Sequence, residues 1–451
     1  MKKLAIHWKI LIALILAFLI GLWANFATES IAEKPSWFNH LHYFSNFVGS
    51  LFINGLKMVV IPLVMTSIIC GVAKIGEDKD FGRLGLKTLL FYSLTGLLAV
   101  VVGLLCVNLI EPGQVDAELR EKMLSGQGEM EGKKVEKAFE HADGGFKGII
   151  EIFQRMIPQN LFKAAVEGQL LGLIFFSLLF GFFVARLPAK FKESQIVFWE
   201  GLNATILSIT NFIISFAPYG VFGLVTPTLM MVGIETVYVM GTFALTVLLG
   251  LAIHSFIILP CLLHFLAKLN FIKHFQAVSP ALLTAFSTAS SNATIPVTME
   301  TAKNRMGVDN KVASFTVPLG ATVNMDGTAI MQGVATAFIA QAYNIDLTMG
   351  DYLMVILTAT LASVGTAGVP GVGLVMLAMV LNQVGLPLEG IALIMGVDRL
   401  LDMIRTAVNI TGDSAVTIIV AKSEGSFDEA RFNDPAAGEK EEEVKLARQQ
   451  A

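Results

Sequence analysis

Asp398 to Asp413, reading DRLLDMIRTAVNITGD, concentrates ionisable side chains inside a 451-residue chain that is 54% hydrophobic and only 15% charged. On a helix, Asp398, Asp402, Arg405, Thr406, Asn409 and Asp413 fall within about 40–60° of one line. Apart from Arg399, Thr411 and Gly412, the rest of the run is apolar. Three further polar runs could act with this stripe. They are Ser287-Thr288-Ala289-Ser290-Ser291-Asn292 with Pro296, Asn324-Met325-Asp326-Gly327-Thr328, and Gly365-Thr366-Ala367-Gly368-Val369-Pro370-Gly371. The planar fork of an arginine binds a carboxylate bidentately. Tips rich in Ser, Gly and Pro leave backbone groups free, and half-helix N-termini there offer positive dipole ends to an anion. Exposed carbonyls and carboxylates suit a hard monovalent cation such as Na⁺.

The charges in these runs do not balance. Asp326, Asp402 and Asp413 set three negative charges against Arg405. In a membrane each charge costs at least roughly 2.5–3.5 kcal/mol, so such a stripe persists only where it faces protein or a water-filled path. An anionic solute could join it only if cations entered too, and cotransport is the simplest reading. An Asp/Arg pair alone is often a structural bridge, and small-residue stretches often mediate helix packing; the combination argues for a site. No nucleophile or metal chemistry competes with it. His7, His40, His42, His141, His254, His264 and His274 lie outside the four runs, and no HExxH, Walker A or GxSxG pattern occurs. Cys70, Cys106 and Cys261 are isolated in or beside apolar stretches and read as small packing residues.

The elements that must hold these runs are transmembrane helices, since the composition is that of a polytopic membrane protein. A net charge of −4, with Lys and Arg mostly in short loops, reports topology and argues against a nucleic-acid partner. The apolar run after MKKLAIHWK lacks an A-x-A cleavage site and reads as a retained first helix. Apolar segments near 8–27, 45–73, 84–110, 148–186, 195–232 and 235–267 are separated by loops that alternate in basic content, which predicts six spans from a cytoplasmic N-terminus. Residues 275–302 have basic flanks on both sides and a polar, interrupted middle, so they predict a re-entrant hairpin. A span over 311–342 follows, then a second hairpin over 350–385 opening to the outside, then a last helix over 388–421 and a disordered, charged cytoplasmic tail. Two inverted units with broken segments at corresponding places mark a secondary transporter's binding site.

With these motifs in view, the chain resembles the dicarboxylate/amino acid:cation symporter family, the prokaryotic relatives of the excitatory glutamate transporters. The likeness runs from LKMVVIPLVMTSIICGVAKIG (56–76) through IPQNLFKAAVEGQLLGLIFFSLLFG (157–181) to IVAKSEG (419–425), and its most specific element is DxxRTxxNxxxD from Asp402 to Asp413. The resemblance implies that Arg405 holds the side-chain carboxylate of aspartate or glutamate and that Asp402 holds its amino group. Asn409 would bind the main-chain carboxylate and Thr328 the side-chain end, with Thr406 beside them and backbone groups of Ser291, Val369 and Gly373 closing round. One Na⁺ site would use Asp413 with carbonyls of Gly320, Asn324 and Asn409. A second would use carbonyls of Thr322, Ser363, Val364 and Thr366, and a third Tyr92, Thr95, Asn324 and Asp326.

Three positions depart from the family pattern. Gly96 stands where a Ser or Thr usually follows the third-span Thr, which removes a hydroxyl from the third ion site. Ala289 and Met403 stand where prokaryotic and animal members respectively carry an arginine. Dicarboxylate carriers lack the amino-group Asp, and proton-coupled members tend to replace the last Asp with Asn. With Asp402 and Asp413 both present, the resemblance implies Na⁺-coupled symport of an acidic amino acid, the alternative being a proton-coupled C4-dicarboxylate symporter. It also implies an all-α, plasma-membrane homotrimer of eight spanning helices and two re-entrant hairpins. Residues 1–83 and 148–232 would form a scaffold. Residues 84–110 and 233–422 would form a transport domain that slides across the bilayer in an elevator-like motion. Residues 111–147 would be an external loop and 423–451 the cytoplasmic tail.

Overall fold

The computed structural model describes residues 6–28, 34–74, 79–116, 157–166, 170–363, 368, 370–434 and 437. Among them the architecture is all-helical, with one isolated antiparallel bridge, Val308 to Phe427. Long runs of Leu, Ile, Val, Ala and Phe dictate this, because in hydrocarbon a helix satisfies its backbone within its own segment. The first three helices are α1 (Ile6–Thr28), α2 (Ser36–Lys74) and α3 (Lys79–Ile110). Next come α4 (Leu161–Val166), α5 (Leu170–Val184), α6 (Ala189–Ile214) and α7 (Ala217–Val232). Two stretches, Arg83–Ile110 and Val237–Ala267, are long and apolar enough to cross a membrane. α3 leaves Leu86, Leu90, Leu94, Leu97, Leu105 and Leu109 exposed along its length, a continuous apolar surface that suits lipid and not water.

Three spans that the hydropathy pattern draws as continuous are interrupted. The 195–232 segment breaks between α6 and α7, where Pro218 at the second position of α7 has no N–H to continue the ladder of α6. The 235–267 segment comprises α8 (Glu235–Ile253), a π-turn at His254–Ile258 and α9 (Leu259–Ala267). Leu259 N–H reaches back to His254 O, an extra residue of spacing just ahead of Pro260. The 311–342 segment divides into α12 (Asn310–Val323) and α13 (Asp326–Ala342), with Asn324 extended and Met325 non-helical between them.

α10 (Phe271–Thr288) and α11 (Ser291–Asn304) pack side by side, and the chain reverses through Ala289 in the left-handed region at φ 49°. Ser290 then caps α11 by accepting a hydrogen bond from Ala293 N. α14 (Met349–Ser363) and α15 (Val372–Gln383) form the second packed pair. A short 3₁₀ turn, Leu388–Ile391, leads into α16 (Ala392–Ser423), against which α8, α9, α10, α12 and α13 all pack. α3 covers α13, while α1 lies on α7, and α2 on α5, α6 and α7.

The tail expected to be disordered from 423 is docked as far as Asp434. Phe427 packs against the core, Phe432 is buried in the short helix α17 (Glu429–Asn433), and Asp428 N donates to Gly307 O at 2.8 Å. Two aromatic anchors in an otherwise polar stretch are what the composition of the tail conceals. At the same end Glu424 meets Lys87 and, at 2.6 Å, Arg83. The Lys87 ammonium, helped by Arg83, holds the Glu424 carboxyl below its ordinary range. Cys70 and Cys106 are buried as packing residues, whereas Cys261 is exposed.

Candidate functional site

The stripe on α16 is buried along its whole length, and it has two poles. At the first, Arg405 is fully buried at 0% exposure. Its Nη2 donates to Asp402 Oδ1 at 2.9 Å and its Nη1 lies 3.0 Å from Asp398 Oδ1. Asp402 Oδ2 accepts from Gly371 N at 3.1 Å and from Arg399 Nη1 at 3.3 Å. Thr406 Oγ1 donates back to Asp402 O at 2.7 Å, which holds that turn of helix. Gly373 lies beneath the guanidinium, where a Cβ would come 3.2 Å from Arg405 Nη2 and 3.5 Å from Thr328 Cγ2. Arg405, Asp402, Thr406, Thr328 and Gly373 are therefore brought together in one buried cluster.

The second pole gathers around Asn324 in the break of the seventh predicted span. Asn324 Nδ2 donates to Asp413 Oδ1 at 2.9 Å, and its Oδ1 accepts from Thr95 Oγ1 at 3.0 Å. Asn409 Oδ1 accepts from Gly327 N at 2.7 Å, which pins the start of α13 to α16, while its Nδ2 has only the soft acceptor Met325 Sδ at 3.2 Å. Tyr92 OH donates to Thr316 O at 3.0 Å. The helices approach so closely that only glycine fits at two places: a Cβ on Gly320 would stand 2.5 Å from Tyr92 OH, and one on Gly412 2.5 Å from Asp326 Oδ2. Asp326 and Asp413 are both fully buried, yet among the described residues Asp326 Oδ1 and Asp413 Oδ2 meet no hydrogen-bond partner. A buried carboxylate oxygen without a partner is costly unless a cation meets it.

The two hairpin tips also meet. Ser290 Oγ donates to Gly368 O at 2.7 Å, and Asn292 N donates to the same oxygen at 3.0 Å. Gly371 N, on the second tip, reaches Asp402 as noted above. Both tips thus close on the α16 stripe.

The profile of the Sodium:dicarboxylate symporter family matches residues 6–423. The chain belongs to that family. It is 34% identical to the Proton/sodium-glutamate symport protein of Geobacillus stearothermophilus over 431 residues, covering 96% of this chain and 97% of that one. It is 32% identical to the Proton/glutamate-aspartate symporter of Escherichia coli K12, covering 94% of each. It is also 32% identical to the C4-dicarboxylate transport protein of Bacillus subtilis 168, covering 96% of each. The sodium:dicarboxylate symporters are transporters, and this member is an integral membrane protein.

Of the residues singled out in this family member, Tyr92, Thr95, Gly320, Asn324, Asp326, Asn409 and Asp413 come together at the second pole. Ser363 is buried, its Oγ donating to Thr360 O at 2.7 Å and lying 3.5 Å from where a Gly96 side chain would begin. Thr322 is half-buried with its hydroxyl on Leu319 O. Ser291 is buried as the first residue of α11. Val364, Thr366 and Val369 lie outside the described residues, as does most of the 111–147 loop with His141.

Two histidines set aside in the sequence lie close to the site, one on Asp326 of α13 and one beside the stripe on α16. His254 Nε2 lies 3.1 Å from Asp326 Oδ2, with both side chains fully buried, a contact in which the ring N–H donates to the carboxylate. His274 Nε2 lies 2.9 Å from Ser414 Oγ. A histidine inside an otherwise apolar span, in the stretch that leads to Pro260, was the available signal for the first. The arginine absent from positions 289 and 403 also has a counterpart, because Arg399 contacts Asp402 from one turn away.

Proposed function

We propose that the protein is a secondary active transporter that moves an acidic amino acid, aspartate or glutamate, together with Na⁺. The observation that carries this reading is the division of one buried stripe into an arginine pole and a cation-deficient pole. Asp398, Asp402 and Asp413 on α16, with Asp326 on α13, set four carboxylates against the two guanidiniums of Arg399 and Arg405. An amino acid with two carboxylates and one ammonium deepens that deficit, and Na⁺ ions restore it.

In this reading Arg405 grips the side-chain carboxylate and Asp402 the ammonium. Asn409, whose Nδ2 faces only a thioether, binds the main-chain carboxylate. Thr328 and Thr406 and the backbones of Ser291, Val369 and Gly373 complete the enclosure. Na⁺ takes oxygen ligands at Asp413 with Gly320, Asn324 and Asn409. A second ion lies at Asp326 with Tyr92, Thr95 and Asn324, and a third is held by the carbonyl of Thr322 on α12 with those of Ser363, Val364 and Thr366 on the second hairpin. The Na⁺ is cargo, taken up and released in each cycle.

The hairpins are re-entrant, and the second acts as the outer gate. Helices α1, α2 and α5–α7 form a scaffold and trimer base, and their mutual packing supports this grouping. α3 and everything from α8 to α16 carry the site across the bilayer as a rigid body. The protein lies in the plasma membrane with both termini in the cytoplasm, as the basic loops suggest. A proton-coupled C4-dicarboxylate carrier is the second reading, favoured by the Bacillus subtilis relative.

The test is uptake of radiolabelled L-aspartate into liposomes holding the purified protein, first with an inward Na⁺ gradient and then with an inward proton gradient lacking Na⁺. Accumulation that needs Na⁺ supports the proposal and also rejects a channel, which cannot concentrate solute against its own electrochemical gradient. Accumulation driven by protons alone would transfer the protein to the second reading.

A further inference from the structure

Asp402 is crowded with donors. Oδ1 holds Arg405 Nη2 at 2.9 Å, and Oδ2 holds both Gly371 N at 3.1 Å and Arg399 Nη1 at 3.3 Å. Three of the carboxylate's roughly four acceptor positions are taken, so a substrate ammonium with three N–H donors competes with these partners for Asp402. Arg405 is the hardest to move, being fully buried and also held 3.0 Å from Asp398. Gly371 N belongs to the hairpin backbone. Arg399 makes the longest contact, its side chain keeps 15% exposure, and its Nε meets no acceptor among the described residues. Charge and not a fitted fork keeps it there.

We infer that Arg399 is a specificity-determining residue that competes with the substrate ammonium for Asp402, and that it lets the same pocket accept a C4-dicarboxylate as a second substrate. The inference rests on the assignment of Asp402 to the ammonium and extends it. Asp398, Arg399, Asp402 and Arg405 sum to zero charge. When an amino acid binds, its ammonium takes the place of Arg399 on Asp402, and the arginine turns outward to the rim. When the ligand has no ammonium, Arg399 stays, and Asp402 is prevented from repelling a dianion. One residue at the rim thereby changes the charge that the pocket presents without changing its shape.

The experiment measures binding of L-aspartate and of succinate to purified wild type, Arg399→Gln and Arg399→Lys at saturating Na⁺. Wild type binds both, aspartate more tightly. Arg399→Gln moves the two in opposite directions: succinate weakens about tenfold or more, while aspartate tightens several-fold because its competitor is gone. Arg399→Lys keeps the positive charge and restores succinate binding to within about fivefold of wild type. Opposite shifts separate this role from a structural one, since a misfolded pocket loses both ligands together. Parallel shifts, or wild-type binding of aspartate with none of succinate, overturn the inference and leave the amino-acid reading intact. Binding of neither ligand by wild type overturns both.

Discussion

Around Arg405 every buried charge faces an opposite one, with Asp398 and Asp402 on either side and Arg399 at the rim. Two turns along the same helix, Asp413 and, from α13, Asp326 each keep a carboxylate oxygen with no partner among the described residues, while their other oxygens meet an amide and an imidazole. In the proposed function this contrast divides one buried region between two kinds of cargo. A pole that is already neutral exchanges partners with a zwitterionic ligand at little electrostatic cost. A pole left short of positive charge is a demand for a free cation. Asn409 stands one turn beyond Arg405 on α16 while its carbonyl accepts from Asn324, so filling either pole bears on the next.

Breaking the arginine pole has the largest expected effect. Arg405→Ala leaves Asp398 and Asp402 as buried, uncompensated charges, and removing one partner of a buried pair costs about 3–5 kcal/mol. Acidic-substrate binding should fall beyond detection in a titration; unchanged aspartate affinity would sink the Arg405 assignment. Asp413→Asn acts at the other pole. It removes a charge from the Asn324 contact while keeping the shape, so the Na⁺ dependence of uptake should become shallower. Uptake that rises with Na⁺ as steeply as in the parent would refute the division into poles. The smallest of the three effects sharpens the comparison. His254→Leu takes from Asp326 Oδ2 the donor that the described residues provide, so half-saturating Na⁺ should rise about tenfold while aspartate affinity at saturating Na⁺ moves by about twofold or less. His254→Gln, which keeps a donor, should recover most of that loss. Equal damage to both affinities would mean that His254 supports the fold and not the cation pole.

Much of the fold was legible from hydropathy and loop charge. The predicted segments at 84–110, 275–302, 350–385 and 388–421 correspond to α3, the α10–α11 pair, the α14–α15 pair and α16. The breaks at Pro218 and Asn324 were invisible to a pattern that counts only apolar residues, since both sit inside otherwise unbroken spans. The docked segment 424–434 was missed for the opposite reason. Its composition is polar, and two phenylalanines decide its place.

Within the site, the sequence by itself determined which side chains share one face of α16, because the 3.6-residue period is local and a change of neighbours does not alter it. It also determined that these charges sit in a membrane protein and that the motifs around them belong to a symporter family. Only the tertiary structure decided which charge meets which. Asp326 meets His254 across 72 residues, Thr95 meets Asn324 across 229, and Arg399, adjacent in sequence to an assigned stripe, turns out to share Asp402 with Arg405. The partner of a buried charge is set by which helices pack together and how closely, and no spacing along the chain encodes that.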